Sequence, residues 1–355
     1  MPLLKSTTAK IGAITIGIAA MGGAVLYMPG LIRDDAAIND VESDRSVNVA
    51  EQTGPGERNI MIDLAGLDVP IEEGGLYDRF RSNPPLAVVA EERPDLDLSW
   101  FQTIEKQKKE VGFTTWSPNF YYSNSSITAI YTADMDVIEE LIPDEVKDRV
   151  KPISYTPGNA LVAITSYAYH YCDNGHYDEL SISIVTTKPN ASNWGLISLM
   201  GEVNDNSLWG YVLKLPVNTE LARARGVVGY NLPKWLIPIE YDDTGSDVSF
   251  TYFDEAGDFD FSMVGRKLDV TGSVPEITRS NFTNLDAEGR LTHGYTDVRA
   301  IERASSTDAQ DIQLNLSDGP ISQFIRSLGL RKLVRYDYQP EFQAALYTPE
   351  IVDTP

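Results

Sequence analysis

The sequence predicts an α+β domain, mostly antiparallel β, with a closed or nearly closed β-barrel core and a few short helices. Three observations carry that prediction. Beyond Trp116, apolar and polar residues alternate over short runs, the period of a strand with one face turned inward. Gly, Asn and Asp sit between several of the runs, where chain reversal needs them. Helical spacing is rare by comparison, and many antiparallel strands with few helices must hide their edges, which closure does.

Residues 1–33 read as an address. Lys5 and Lys10 precede an uncharged stretch from Ile11 to Ile32, followed by Arg33-Asp34-Asp35. About 18 to 22 apolar residues suffice to cross a bilayer once as a helix. The small residues Ala20, Gly22, Gly23 and Ala24 also offer a cleavage site, so an uncleaved anchor and a cleaved signal peptide both stay open. Either one puts the rest of the chain outside the cytoplasm, periplasmic or extracellular, and secreted if the segment is removed. Residues 34–70 are acidic and polar around Gly54-Pro55-Gly56 and read as a tether. Residues 71–115 form a helical or irregular lead-in, whose run Glu105-Lys106-Gln107-Lys108-Lys109-Glu110 reads as a solvated helix face.

The main domain is expected over residues 116–350. Strands are predicted at 161–171, 179–186, 209–215, 248–253, 259–264 and 267–270, and helices at 135–141, 219–225 and 320–328. Asn174-Gly175 is a strong short hairpin signal. A two-residue turn there sets Asp173 opposite His176 and His170 opposite Glu179. Alternation then gathers Ser166, Ala168 and His170 with Glu179, Ser181 and Ser183 on a small polar face. Tyr167, Tyr169 and Tyr171 share the other face with Leu180, Ile182 and Ile184. His170, Cys172, Asp173 and His176 also invite a metal reading, but the same turn sends the first two and the last two to opposite faces.

Composition narrows the function classes. With 355 residues, 42% of them hydrophobic, the chain can bury a sizeable core. A formal charge of −23 argues against nucleic acid, whose phosphates need a basic surface. Cys172 is the only cysteine, so no disulfide forms within the chain. Asn124-Ser125-Ser126, Asn190-Ala191-Ser192, Asn281-Phe282-Thr283 and Asn315-Leu316-Ser317 match the glycosylation sequon, which matters only in a host that glycosylates. No Gly-x-Ser-x-Gly elbow, phosphate-binding loop or dinucleotide fingerprint occurs, and nothing implies a cofactor.

One lysine stands out, in Gly229-Tyr230-Asn231-Leu232-Pro233-Lys234-Trp235-Leu236. Pro233 fixes the backbone before it, while Trp235, Leu236 and Ile237 supply apolar surface that would dry the amine. Desolvation favours the neutral amine, which attacks carbonyls to give a Schiff base. Against this stands the ordinary reading of a lysine as a solvated surface group.

The segment resembles the active-site stretch of acetoacetate decarboxylases, where an Arg-containing helix leads into Gly-aromatic-Pro-Lys-Lys. Here it runs Ala224-Arg225-Gly226-Val227-Val228-Gly229-Tyr230, then Asn231-Leu232 as an insertion, then Pro233-Lys234. Upstream, Tyr131-Thr132-Ala133-Asp134-Met135-Asp136, continuing to Pro143, resembles the family's early strand and helix, and Tyr177-Asp178-Glu179 its Tyr-Thr-Glu. Residues 291–346 resemble its strand, turn and terminal helix. The resemblance spans about residues 116–346 and implies Lys234 as the nucleophile, Glu179 as general acid or base, and self-association. His170, Ser166, Tyr230 and Trp235 complete the expected site as substrate-binding residues, His170 on the register count. Three departures accompany the match. The family's second lysine is Trp235 here, its carboxylate-binding arginine falls near Asn124, and one of its two glutamates falls near Thr165 or Ser166.

Two function classes follow. One is a Schiff-base-forming lyase acting through Lys234 on a keto acid or other carbonyl compound, with aldol condensation or dehydration as a related imine reaction. The other is a non-catalytic, membrane-anchored β-barrel that binds a small apolar ligand.

Overall fold

The computed structural model describes residues 38–40, 58–270 and 276–352, so the expected membrane segment at residues 11–32 lies outside them. Among the described residues no helix is long and apolar enough to cross a membrane. In chain order the strands are β1 (Ile38–Asp40), β2 (Asn59–Leu64), β3 (Leu67–Glu72), β4 (Gln107–Glu110), β5 (Thr114–Ser117), β6 (Asn119–Asp134), β7 (Asn159–Cys172) and β8 (Tyr177–Thr186). They continue as β9 (Ser207–Lys214), β10 (Ile239–Asp242), β11 (Asp247–Phe253), β12 (Phe259–Arg266), β13 (Glu276–Leu285), β14 (Leu291–Ser306), β15 (Ile312–Leu316) and β16 (Leu330–Ile351). The helices are α1 (Leu76–Phe80), α2 (Leu86–Glu92), α3 (Met135–Glu140), α4 (Leu196–Asn204), α5 (Glu220–Tyr230) and α6 (Pro320–Ser327).

Seven strands close into a barrel in the order β13-β14-β16-β6-β7-β8-β9. Neighbours are antiparallel except β9 and β13, which run parallel where the ring closes. A second sheet, β1-β15-β12-β11-β10, lies against the barrel's outside. Between the two layers Ile127, Ile164, Leu180 and Ile182 meet Phe250, Tyr252, Phe261 and Met263 in the main hydrophobic core. Each such side chain contributes about 1.5–3 kcal/mol by leaving water. Strands β6, β7 and β8 are therefore covered twice, by the second sheet outside and by the barrel interior inside.

Several sequence expectations change here. Residues 59–70 of the expected tether, with 71–72 of the expected lead-in, form the β2–β3 hairpin, turned at Ala65 and Gly66 with φ of 56° and 81°. Its Leu64, Val69 and Ile71 pack on Leu221 and Ala224 of α5, so it buttresses the helix that precedes Lys234. The charged run at 105–110 supplies β4, paired with β5, in place of a helix face. Residues 267–270 form no strand. The helix expected at 320–328 is α6, and the 22-residue strand β16 follows it.

The β7–β8 register departs furthest from expectation. Tyr167 pairs with Glu179 and Tyr169 with Tyr177, an odd-numbered shift from the two-residue turn, so the faces exchange partners. The cause is Asp173. Its buried carboxylate accepts from the Phe120 amide at 2.6 Å and the Tyr122 hydroxyl at 2.8 Å, and it pairs with Lys106. Held there, β7 runs along β6 as far as Cys172 before the chain turns, with the Gly175 amide bonded to the Cys172 carbonyl.

Candidate active site

All seven barrel strands contribute residues to a cavity with about 600 Å³ of empty space, part of it open solvent. Tyr121, Tyr167, Tyr169 and Tyr177 form one wall, with Phe342 beside Tyr167. Val212, Phe282, Val298 and Leu346 line other parts, and Ser181 and Thr296 add hydroxyls. Among the described residues the only charged ones in the lining are Glu179 and Lys234.

Lys234 reaches the interior because of how α5 ends. Thr219 caps the helix start, accepting from the Ala222 amide. Asn231, at φ 55°, ends it in the left-handed conformation, its amide bonded to the Gly226 carbonyl. The inserted pair thus has a use: Asn231 stops the helix and Leu232 lines the cavity. Beyond Pro233, Val217 holds the chain on either side of Trp235, accepting from the Ile237 amide and donating to the Trp235 carbonyl, each at 3.0 Å. An extended segment points successive side chains to opposite sides. Lys234 therefore turns inward and Trp235 outward, where it packs on the main core. Gly226 leaves the path open, since a Cβ there would overlap Cδ and Cε of Lys234.

Inside, Lys234 Nζ lies 2.5 Å from Glu179 Oε2, and the two side chains are 6% and 8% exposed. The Tyr177 ring lies under the ammonium, 5.5 Å from Nζ to centroid. Tyr169 donates to Glu179 Oε1 at 3.1 Å. Burial first, then the charge of Glu179, pushes the Tyr169 phenol well above its usual range, so it remains a donor at neutral pH. Tyr121 and Tyr177 share a hydrogen bond of 2.9 Å, and burial raises both of these phenols too.

The remaining expected site residues lie elsewhere. Ser166 faces the second sheet, accepting from the Tyr252 hydroxyl at 2.6 Å. His170 is on that outer face too, 2.9 Å from Ser125 Oγ and beside Tyr241, and burial lowers its imidazole below the usual range. The polar face expected around Glu179 is thus the tyrosine face, and His170 does not adjoin Glu179. Tyr230 is buried with Val212, Leu232 and Phe282 but is not among the lining residues. Asn124, at the position compared with an arginine, gives its amide to the Tyr121 and Phe342 carbonyls. The sequence reading missed the tyrosine wall as part of the site, although Tyr167, Tyr169 and Tyr177 alternate plainly along their strands.

The chain is similar in fold to acetoacetate decarboxylase. An acetoacetate decarboxylase from Legionella pneumophila subsp. pneumophila str. Philadelphia 1 matches at 13% identity and TM-score 0.49, covering 66% of this chain and 87% of that one. The enduracididine biosynthesis enzyme MppR, complexed with pyruvate, matches at 14% identity and TM-score 0.47, covering 67% and 91%. An acetoacetate decarboxylase-like enzyme from Sphingomonas wittichii RW1 matches at 10% identity and TM-score 0.41, covering 69% and 97%. No protein-family model matches the sequence, and no curated protein does. The chemistry available to the site is a matter of its own residues.

Those residues suit proton exchange next to an amine. A carboxylate within hydrogen-bond reach of a lysine can take its proton, leaving a neutral nucleophile, and can return that proton to a leaving hydroxyl. The Lys234 and Glu179 side chains are themselves nearly shielded from water, which strengthens the interaction between them.

Proposed function

We propose that the protein is a Schiff-base-forming carbon–carbon lyase acting through Lys234 on a carbonyl compound. One observation carries the reading: a lysine and a glutamate at 2.5 Å, both nearly inaccessible, which among the described residues are the only charges lining the barrel cavity. Glu179 takes a proton from the Lys234 ammonium, and the free amine adds to the carbonyl carbon. Glu179 then protonates the carbinolamine hydroxyl, water leaves, and the protonated imine stays paired with the carboxylate. That imine is the electron sink for cleavage or formation of a bond at the neighbouring carbon. Tyr169 holds Glu179 in position through its hydroxyl.

Borohydride trapping tests the reading. Full-length protein incubated with acetoacetate and a series of ketones should carry a reduced adduct on Lys234 by peptide mass spectrometry, and Lys234→Ala should carry none there. Absence of an adduct with every carbonyl would leave the second reading, a ligand-binding barrel. The same ion pair favours it, because a carboxylate at 2.5 Å also stabilises the ammonium form.

We also propose that residues 11–32 direct the domain across a membrane, as an uncleaved anchor or a cleaved signal. Cell fractionation with protease added from outside checks this; a full-length chain protected in the cytosol would reject it.

A further inference from the structure

We propose that the barrel cavity selects uncharged carbonyl compounds bearing a flat apolar group and discriminates against keto acids. The proposal rests on the Lys234 reading above and concerns which molecules reach that amine. Its basis is the balance of charge inside the barrel. Lys234 and Glu179 cancel one another, and among the described residues no other lysine, arginine or histidine lines the cavity. The nearby buried cations Arg225 and Lys106 are not among the lining residues. Arg225 donates through Nη2 to Thr115 at 3.2 Å and Asn119 at 3.1 Å, between the rings of Tyr77 and Phe113, while its Nε and Nη1 have no hydrogen-bond partner among the described residues, and Lys106 is paired with Asp173.

Imine formation leaves this balance intact. Ammonium plus carboxylate plus neutral ketone becomes iminium plus carboxylate plus water, with one positive and one negative charge before and after. A substrate carboxylate adds a second negative charge beside Glu179. Only neutral hydroxyls from tyrosine, serine and threonine are there to meet it, and an unpaired charge in such surroundings is strongly disfavoured.

The walls specify the rest of the ligand. Tyr167 and Tyr169 stack at 5.5 Å with planes 9° apart, and Tyr121 and Tyr177 pack on Tyr169 at 4.7 and 4.6 Å. Phe282 lines another part of the cavity. Ring faces and edges of this kind favour a flat aromatic substituent over a short aliphatic one.

The test pairs two compounds with one skeleton, phenylacetone and phenylpyruvate, together with acetone and pyruvate. Each is reduced onto the full-length protein with cyanoborohydride, and the rate of Lys234 modification is divided by the rate on Nα-acetyl-lysine, which removes intrinsic reactivity. Phenylacetone should exceed phenylpyruvate by about tenfold or more, and should also exceed acetone. A normalised phenylpyruvate rate equal to or above that of phenylacetone would overturn the proposal. If none of the four modifies Lys234, the imine reading fails by itself, and titration calorimetry with the phenyl pair then decides the selectivity. Preferential binding of phenylacetone sustains it; equal binding, preference for phenylpyruvate, or no binding of either overturns it.

Discussion

Strand β8 carries two neighbouring carboxylates, Asp178 and Glu179, that occupy opposite faces. Glu179 points into the barrel, 2.5 Å from Lys234 and bonded to the Tyr169 hydroxyl. Asp178 points the other way: Asn218 donates to it at 2.9 Å, and among the described residues His176, 4.0 Å away, is the one basic group paired with it. Burial raises the Asp178 carboxyl to about 6. Both faces of this strand are covered, yet one surrounds open space with an ion pair and tyrosines, while the other is largely closed by Leu180, Ile182 and Ile184 against the second sheet. Burial alone therefore does not mark a site. The mark is a pair of opposite charges kept beside a space that side chains do not fill.

The largest effect should come from breaking the interior pair. Glu179→Leu leaves a buried ammonium without its counter-charge and should cost about 3–5 kcal/mol in urea denaturation. The double variant Glu179→Leu/Lys234→Met should recover most of that loss. A double variant as unstable as the single one would show that packing, not charge, dominates the inner face. On the outer face, Ile182→Ala should cost about 2–5 kcal/mol by opening a cavity in the core. The folded variant should still label at Lys234 at the wild-type rate, because Ile182 does not line the barrel cavity.

Asp178 gives the comparison a pH axis. Its folded carboxyl, at about 6, lies above the ordinary 3.8, so between those values the folded state holds a proton that the unfolded chain has released. Stability from this group is full below about pH 3.8 and is lost as pH rises through 6, by up to about 3 kcal/mol. Asp178→Asn should flatten that segment of the stability profile. An unchanged slope in the variant would assign the pH dependence to another group.

Much of this arrangement could be read from the residues in order, and the part that could not has a physical cause. Alternation along each strand was plain: Tyr167 and Tyr169 fall on one side of β7, and Ser166, Ala168 and His170 on the other. The barrel was foreseen, and so was a helix before Pro233, whereas Trp235, expected beside the amine, packs on the main core instead. The register between β7 and β8 was not, because it is decided by Asp173 and Lys106, residues 67 positions apart in sequence and joined only in the folded chain. An odd shift carried Glu179 to the tyrosine face while leaving each strand's own pattern correct. The β2–β3 hairpin escaped for a similar reason, since its support from α5 is tertiary. Long strands such as β14 and β16 carry enough charged residues, among them Arg299, Glu302, Arg335 and Asp337, to blur the alternation.

A smaller effect separates the hydroxyl of the tyrosine wall from its ring. Tyr169→Phe keeps the stacking and removes one hydrogen bond to Glu179, a change of about 1–2 kcal/mol. If that hydroxyl positions Glu179 for proton transfer, the pH dependence of Lys234 labelling should shift while ligand binding stays near wild type. Loss of binding with an unchanged pH profile would instead place Tyr169 in substrate contact.

The smallest effect should be at His170, and it distinguishes the two registers directly. With Glu179 opposite Tyr167, His170 sits on the outer face near the end of β7, partly exposed, with Ser125 and Tyr241 as its neighbours. His170→Ala then removes one hydrogen bond at the margin of the second sheet, a cost of about 1 kcal/mol or less. It should leave both the rate and the pH profile of Lys234 labelling unchanged. With the two-residue turn, His170 would instead lie opposite Glu179 and exchange protons with it, and the same substitution would depress labelling and move its pH profile. A labelling assay on this variant therefore reports on strand register as well as mechanism: strong loss would require the faces of β7 and β8 to be reassigned, and with them the tyrosine wall on which the substrate proposal depends.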